Sequence, residues 1–146
     1  MQRSFKFEQP QSVDLKLLNE EFTTNYLAHV HLTMAFLPHL QKLSKTQPTA
    51  LVYTNSGLGL VPLIRCANYS ATKAALHAWT LCLREQLKDD AESDVKVIEL
   101  LPPAVQTELH DEKHQPDMKN GRQLGMPLAE YIDATWYADL LVCAMY

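Results

Sequence analysis

Residues 56–73 read SGLGLVPLIRCANYSATK, and the reading of this stretch decides the rest of the chain. It places Ser56 thirteen residues before Tyr69, and Lys73 four residues after that tyrosine. Asn68 to Leu87 has helical composition, so Tyr69 and Lys73 form an i,i+4 pair on one helix face. Just before the stretch, Ala50 to Thr54 (ALVYT) is a β-rich run, which puts Ser56 at the C-terminal mouth of a strand. Ligands collect at such mouths in α/β proteins. A hydroxyl, a phenol and an ammonium gathered there can carry out proton-coupled carbonyl chemistry. A free tyrosine ionises near pH 10, so it is a poor base at neutrality. A nearby lysine cation is expected to favour the phenolate and lower that pKa.

A Tyr-x-x-x-Lys pair alone is a weak signal, because a surface pair on any helix has the same spacing. The combination of strand, serine at minus thirteen, small Ser70 and Ala71, and an apolar helix is more specific. It resembles the short-chain dehydrogenase/reductase family, whose site is a serine, a Tyr-x-x-x-Lys and a helix asparagine. The resemblance implies an α/β fold, part of a Rossmann-like doubly wound parallel sheet. By it, Tyr69 is the general acid/base, Ser56 orients the substrate oxygen, and Lys73 lowers the tyrosine pKa and binds the nicotinamide ribose.

Composition agrees with a folded domain. The chain has 146 residues, of which 47% are apolar, enough for one core and against disorder. The net charge of −4 comes with no basic stripe, so neither nucleic acid nor an anionic membrane is an expected partner. Residues 1–12 lack the apolar core of a signal peptide, and no run approaches the ~20 apolar residues of a membrane span. Cys66, Cys82 and Cys143 are odd in number and far apart, which reads as reduced thiols and a cytoplasmic location.

Toward the N-terminus, Asp14 is the expected N-cap of a helix. Leu15, Leu18, Phe22, Tyr26, Val30, Met34 and Leu37 recur at three- and four-residue steps, which predicts one buried helical face. Asn25 lies beside that stripe. By resemblance it is the family's helix asparagine, at a slight kink, holding a water that links Lys73 to solvent; the plain alternative is an exposed asparagine. Lys42 to Pro48 reads as a polar connector. Gly57 and Gly59 are followed by Leu60-Val61-Pro62 instead of a helix start, so they read as turn glycines and not as a phosphate loop.

The helix to Lys88 is apolar almost all round (Ala71, Ala74, Ala75, Ala78, Trp79, Leu81, Cys82, Leu83), which predicts cover on more than one side. In the family this helix and the Asn25 helix make a four-helix dimer interface, so the resemblance implies a homodimer. After an acidic turn, Asp89 to Asp94, Val95 to Leu101 is a second strand. It runs into Pro102-Pro103-Ala104-Val105-Gln106-Thr107. The family has Pro-Gly-x-Val-x-Thr here, so Val105 and Thr107 are the expected contacts to the cofactor carboxamide, with Pro103 in place of the glycine. Glu108 to Met126 lacks periodicity and resembles the family's substrate loop. His110-Asp111-Glu112-Lys113-His114 within it departs from H-E-x-x-H, and no metal site is expected. A final helix, Leu128 to Met145, carries Tyr131, Ile132, Trp136, Leu140 and Leu141.

The resemblance covers residues 1–146 as the C-terminal portion of such a domain. A dinucleotide site needs a glycine-rich turn after the first strand, and the four glycines here are not arranged as Gly-x-x-x-Gly-x-Gly. The expectation is a truncated domain whose strands expose an edge and apolar faces. The implied activity is NAD(P)-dependent interconversion of an alcohol and a carbonyl compound, with NADP(H) the leading cofactor. The alternative is a non-catalytic remnant that associates with a full-length reductase through its apolar helices.

Overall fold

The computed structural model describes residues 2–90 and 93–144, with 137–144 described by backbone alone. The chain forms two compact units, one up to Leu101 and one from Pro102. In the first unit, helix α1 (Leu15–Phe22) starts where the sequence predicts. The Asp14 carboxylate accepts hydrogen bonds from the backbone N–H groups of Lys16 at 2.8 Å and Leu17 at 3.3 Å. A π-helical turn over Thr23–Leu27 then joins α1 to helix α2 (Ala28–Ser44). Helix α2 therefore runs into the stretch read as a connector, which begins only after Ser44.

The π turn corrects the predicted stripe. It inserts backbone without adding a full helical step, so the buried face is re-phased. Glu21, Asn25 and Thr33 are buried, whereas Leu15 and Met34 are 69% and 70% exposed. Phe22 and Tyr26 still meet edge to face, with ring centroids 5.3 Å apart. Leu37 and Leu40 pack against the core.

Strand β1 (Thr49–Thr54) and strand β2 (Val95–Leu100) pair in parallel, in register from Thr49 opposite Val95 to Thr54 opposite Leu100. A parallel pair needs a long crossover, and helix α3 (Ala67–Lys88) supplies it. This α/β arrangement is the partial Rossmann-like one that the sequence predicts. Only one face of β1 meets the helices, and on the other Val52 is 50% exposed, an apolar face left open as the sequence predicts.

The core lies between that face and α3. Tyr53, Leu76, Leu83, Leu87, Val95 and Val97 are buried together, and Trp79 packs edge to face on Tyr53 at 5.6 Å. A fully buried leucine such as Leu76 contributes about 1.5–3 kcal/mol through removal of its apolar surface from water. Several elements cover α3, with α1, the π turn, the Gly57–Gly59 turn and β2 meeting one broad side of it, but the cover does not close round the helix. Its inward face holds Tyr69, Lys73, Leu76, Thr80, Leu83 and Leu87, while Ala71, Ala78, Leu81 and Cys82 are exposed in the chain as described. Alanines are compatible with either face, which is why composition alone misleads here.

The second unit is built differently. Val105 forms a parallel bridge to Met126: the Met126 N–H donates to the Ala104 carbonyl at 2.8 Å, and the Gln106 N–H to the Met126 carbonyl at 2.9 Å. Short 3-10 turns lie at Glu108–His110 and Gly121–Gln123. His110, read as part of a solvated loop, is 9% exposed, and Gln115 is 2% exposed. The Gln115 side-chain amide donates to the Leu109 carbonyl at 2.8 Å and lies 3.2 Å from His110 Nδ1. Helix α4 (Leu128–Ala144) follows. The expected apolar side chains of Leu140 and Leu141, and the helix end at Met145, lie outside the described residues, as do positions 91 and 92 of the acidic turn.

Candidate active site

Strand β1 ends at Thr54, and the two residues that follow set up the site. Asn55 is 2% exposed, and its N–H donates to the Leu100 carbonyl at 2.8 Å, extending the β1–β2 ladder by one step. Ser56 then caps the short 3-10 turn Gly57–Gly59, its hydroxyl accepting from the Leu58 N–H at 3.2 Å. Gly59 presses this turn against α3: a Cβ there would stand 2.8 Å from the Lys73 carbonyl carbon. That close approach, and not phosphate binding, explains Gly59.

Across from the turn, Tyr69 and Lys73 sit on the inward face of α3, 6% and 7% exposed. The Ser56 side chain is close enough to Tyr69 to act on its phenol as a hydrogen-bond partner. Lys73 Nζ lies 5.8 Å from the centre of the Tyr69 ring and donates to the Thr54 carbonyl at 2.9 Å. The predicted serine, tyrosine and lysine are therefore brought together at the strand mouth. Their electrostatics differ from expectation. Burial pushes the Tyr69 phenol above its ordinary pKa of 10.0, a hydrogen bond to Ser56 opposes the rise, and the charges of Cys66 and Glu21 add to it. Burial likewise lowers the Lys73 ammonium, against the pull of the Glu99 carboxylate. Desolvation thus outweighs the lowering of the tyrosine pKa expected from the lysine cation. A protonated phenol at neutral pH is suited to give a proton to an oxygen.

Asn25 sits in the π turn and is 3% exposed, so the exposed alternative does not hold. Its side-chain amide donates to Thr72 Oγ1 at 3.1 Å, and that hydroxyl donates to the Tyr69 carbonyl at 2.7 Å. Asn25 is thereby tied to the turn of α3 that carries Tyr69 and Lys73. In the second unit, Val105 forms the bridge to Met126, and Thr107 Oγ1 accepts from the Leu109 N–H at 3.3 Å, capping the following 3-10 turn.

Two carboxylates at the site escape a reading by motif. Glu21 is fully buried, accepts from the Arg3 N–H at 2.6 Å and from the Asn68 side-chain amide at 2.7 Å, and is held above the usual carboxylate range by burial. Glu99 faces inward from β2; a charge at an inward position of VKVIEL is the signal that could have found it. No group of three or more metal-ligating side chains occurs among the described residues, and no described helix is long and apolar enough to cross a membrane.

Comparison with known proteins shows the family. A family model described as short chain dehydrogenase matches residues 5–117. The chain belongs to the short-chain dehydrogenase family. It is 41% identical to the uncharacterized oxidoreductase DltE of Bacillus subtilis over 114 residues, which is 77% of this chain and 42% of that protein. It is 34% identical to 1-deoxy-11-beta-hydroxypentalenate dehydrogenase of Streptomyces avermitilis over 127 residues, 87% of this chain and 45% of that protein. With mouse estradiol 17-beta-dehydrogenase 2 it shares 33% identity over 97 residues, 24% of that protein. The chain spans less than half the length of these relatives.

The donor set fits one end of the family's dinucleotide. A phenol, a hydroxyl and an ammonium at one strand mouth suit a carbonyl oxygen and ribose hydroxyls. The turn that holds Gly57 and Gly59 is not a phosphate loop, since it is a short 3-10 turn with Gly59 packed against α3.

Proposed function

We propose that this segment carries the proton-transfer site of an NAD(P)-dependent oxidoreductase that interconverts an alcohol and a carbonyl compound. The observation that carries the reading is the placement of Lys73 beside the Tyr69 ring while bonded to the Thr54 carbonyl, at the strand end that Ser56 follows. NAD(P)(H), when bound, supplies or accepts the hydride. Tyr69 gives its phenolic proton to the carbonyl oxygen in reduction and takes it back in oxidation. Ser56 donates a hydrogen bond to that oxygen and stabilises its developing charge. Lys73 holds the ribose hydroxyls, and Asn25 keeps a water that connects Lys73 to solvent. Val105 and Thr107 are assigned to the carboxamide of the cofactor on family resemblance alone.

Titration of the folded chain with NADPH and with NADH, followed by cofactor fluorescence, is the first test. Saturable binding supports the reading and ranks the two cofactors; NADPH is expected to bind more tightly. Where turnover of a small alcohol or ketone is measurable, Tyr69→Phe is expected to lower kcat/KM by about 10²–10⁴, the loss typical of a missing general acid. Turnover unchanged by that substitution sinks the assignment.

One observation favours a second reading, a non-catalytic role. Leu32, Met34 and Phe36 on α2 and Leu81 on α3 are exposed, at 57%, 70%, 57% and 42%. Apolar side chains of this kind suit a homodimer or association with an intact reductase. A folded chain that binds neither nucleotide but captures an intact reductase would favour it; a soluble monomer over a wide concentration range would count against it.

A further inference from the structure

Strand β2 puts a carboxylate where its pattern calls for a hydrocarbon. Val95, Val97 and Glu99 share one face of the strand. The two valines are 5% and 7% exposed, and the Glu99 side chain is 7% exposed as well. A buried carboxylate is costly unless its oxygens are bonded, and both are. Glu99 Oε1 accepts from the Asn55 side-chain amide, and Glu99 Oε2 lies 2.8 Å from His77 Nδ1.

These partners are not scattered. The Asn55 amide also donates to the Lys73 carbonyl at 3.1 Å, and Asn55 immediately precedes Ser56. His77 lies one helical turn beyond Lys73 on α3. One carboxylate on β2 thus grips both the strand end that presents Ser56 and the helix turn that presents Lys73. A leucine would pack this position more cheaply, but it could not hold Asn55.

We propose that Glu99 is a positioning residue of the Ser56–Tyr69–Lys73 site, acting with Asn55 and His77 as a buried clamp that fixes Ser56 relative to Lys73. The proposal rests on the reading of that site as catalytic. It also has an electrostatic side. The groups facing Lys73 are Tyr69 and His77 on its own helix, His29 on α2 and Glu99 on β2. Burial and the Lys73 charge hold His29 below the usual histidine range. The Glu99 carboxylate opposes the effect of burial on Lys73.

The test follows the Lys73 side chain by carbon-13 NMR through a pH titration of the full 146-residue chain, together with solvent exchange of the Asn55 side-chain amide. In Glu99→Gln the proton-binding constant of Lys73 should fall about tenfold, the effect of losing a close opposite charge. The Asn55 amide should exchange about tenfold faster, because one of its two acceptors is weakened. A folded Glu99→Gln protein with both readouts unchanged overturns the proposal. If that variant does not fold, His77→Leu serves instead, since His77 is at the partly exposed end of the clamp. Faster Asn55 exchange in it supports the clamp, and unchanged exchange overturns it. Neither readout uses turnover or nucleotide, so failure here is distinguishable from failure of the cofactor titration.

Discussion

The residues up to Leu101 and those from Pro102 onward bury different kinds of atoms. In the first unit a hydrocarbon cluster forms: Tyr53, Leu76, Leu83, Leu87, Val95 and Val97 close around one strand face and one helix face. In the second, the described buried side chains are His110 and Gln115, held by hydrogen bonds to each other and to nearby backbone. The first follows from apolar residues at helical and strand periods, and the second from donor and acceptor pairing within irregular chain. The polar exceptions in the first unit are instructive. Of the buried polar groups, Asn55, Glu99 and Lys73 lie where β1 ends against α3, with Asn25 tied to that helix through Thr72, and that is where the candidate chemistry is.

Leu76→Ala should do the greatest damage of the structural substitutions considered. Leu76 is 0% exposed, and its truncation is expected to cost about 2–5 kcal/mol in urea denaturation. A loss under 1 kcal/mol, far below that range, would mean that the first unit does not depend on its hydrocarbon core. Gly125→Ala probes the other principle. Gly125 has φ +92°, and a Cβ there would lie 2.0 Å from the Ala104 carbonyl oxygen. The expected cost is about 1–3 kcal/mol, with loss of amide protection at Met126. An unperturbed Met126 amide would break the claim that backbone geometry organises the second unit.

Smaller effects sharpen the comparison. Asp14→Ala removes two hydrogen bonds at the start of α1 and should cost about 1 kcal/mol. Undiminished stability would show that α1 is held by packing alone. The smallest effect is the pH dependence due to Tyr69. Its folded pKa is raised, so its contribution to stability is complete below the unfolded pKa of 10.0 and is lost as pH rises through the folded value. Ultraviolet titration should show Tyr69 ionising above pH 10.0 alongside the buried Tyr53, with the Tyr69 transition absent in Tyr69→Phe. Ser56→Ala should move it higher still, since the hydrogen bond to Ser56 works in the opposite direction. A Tyr69 that titrates below pH 10.0 would contradict burial as the dominant influence.

The sequence alone determined the α/β class, the two strands within a residue of their observed ends, the Asp14 cap and the gathering of Ser56, Tyr69 and Lys73 at the mouth of β1. Each of these rests on local spacing or on a residue's own backbone preference, which one-dimensional pattern carries. Tertiary structure decided the rest. The π turn at Thr23–Leu27 re-phased the buried face and turned Asn25 inward, and no periodicity of α1 and α2 announces an inserted backbone step. Burial reversed the expected direction of the Tyr69 shift, because desolvation depends on what closes over a group and not on its neighbours in sequence. Glu99 became part of the site only because parallel pairing sets it one residue from the end of β1, where Asn55 and His77 arrive from elements far apart in the chain.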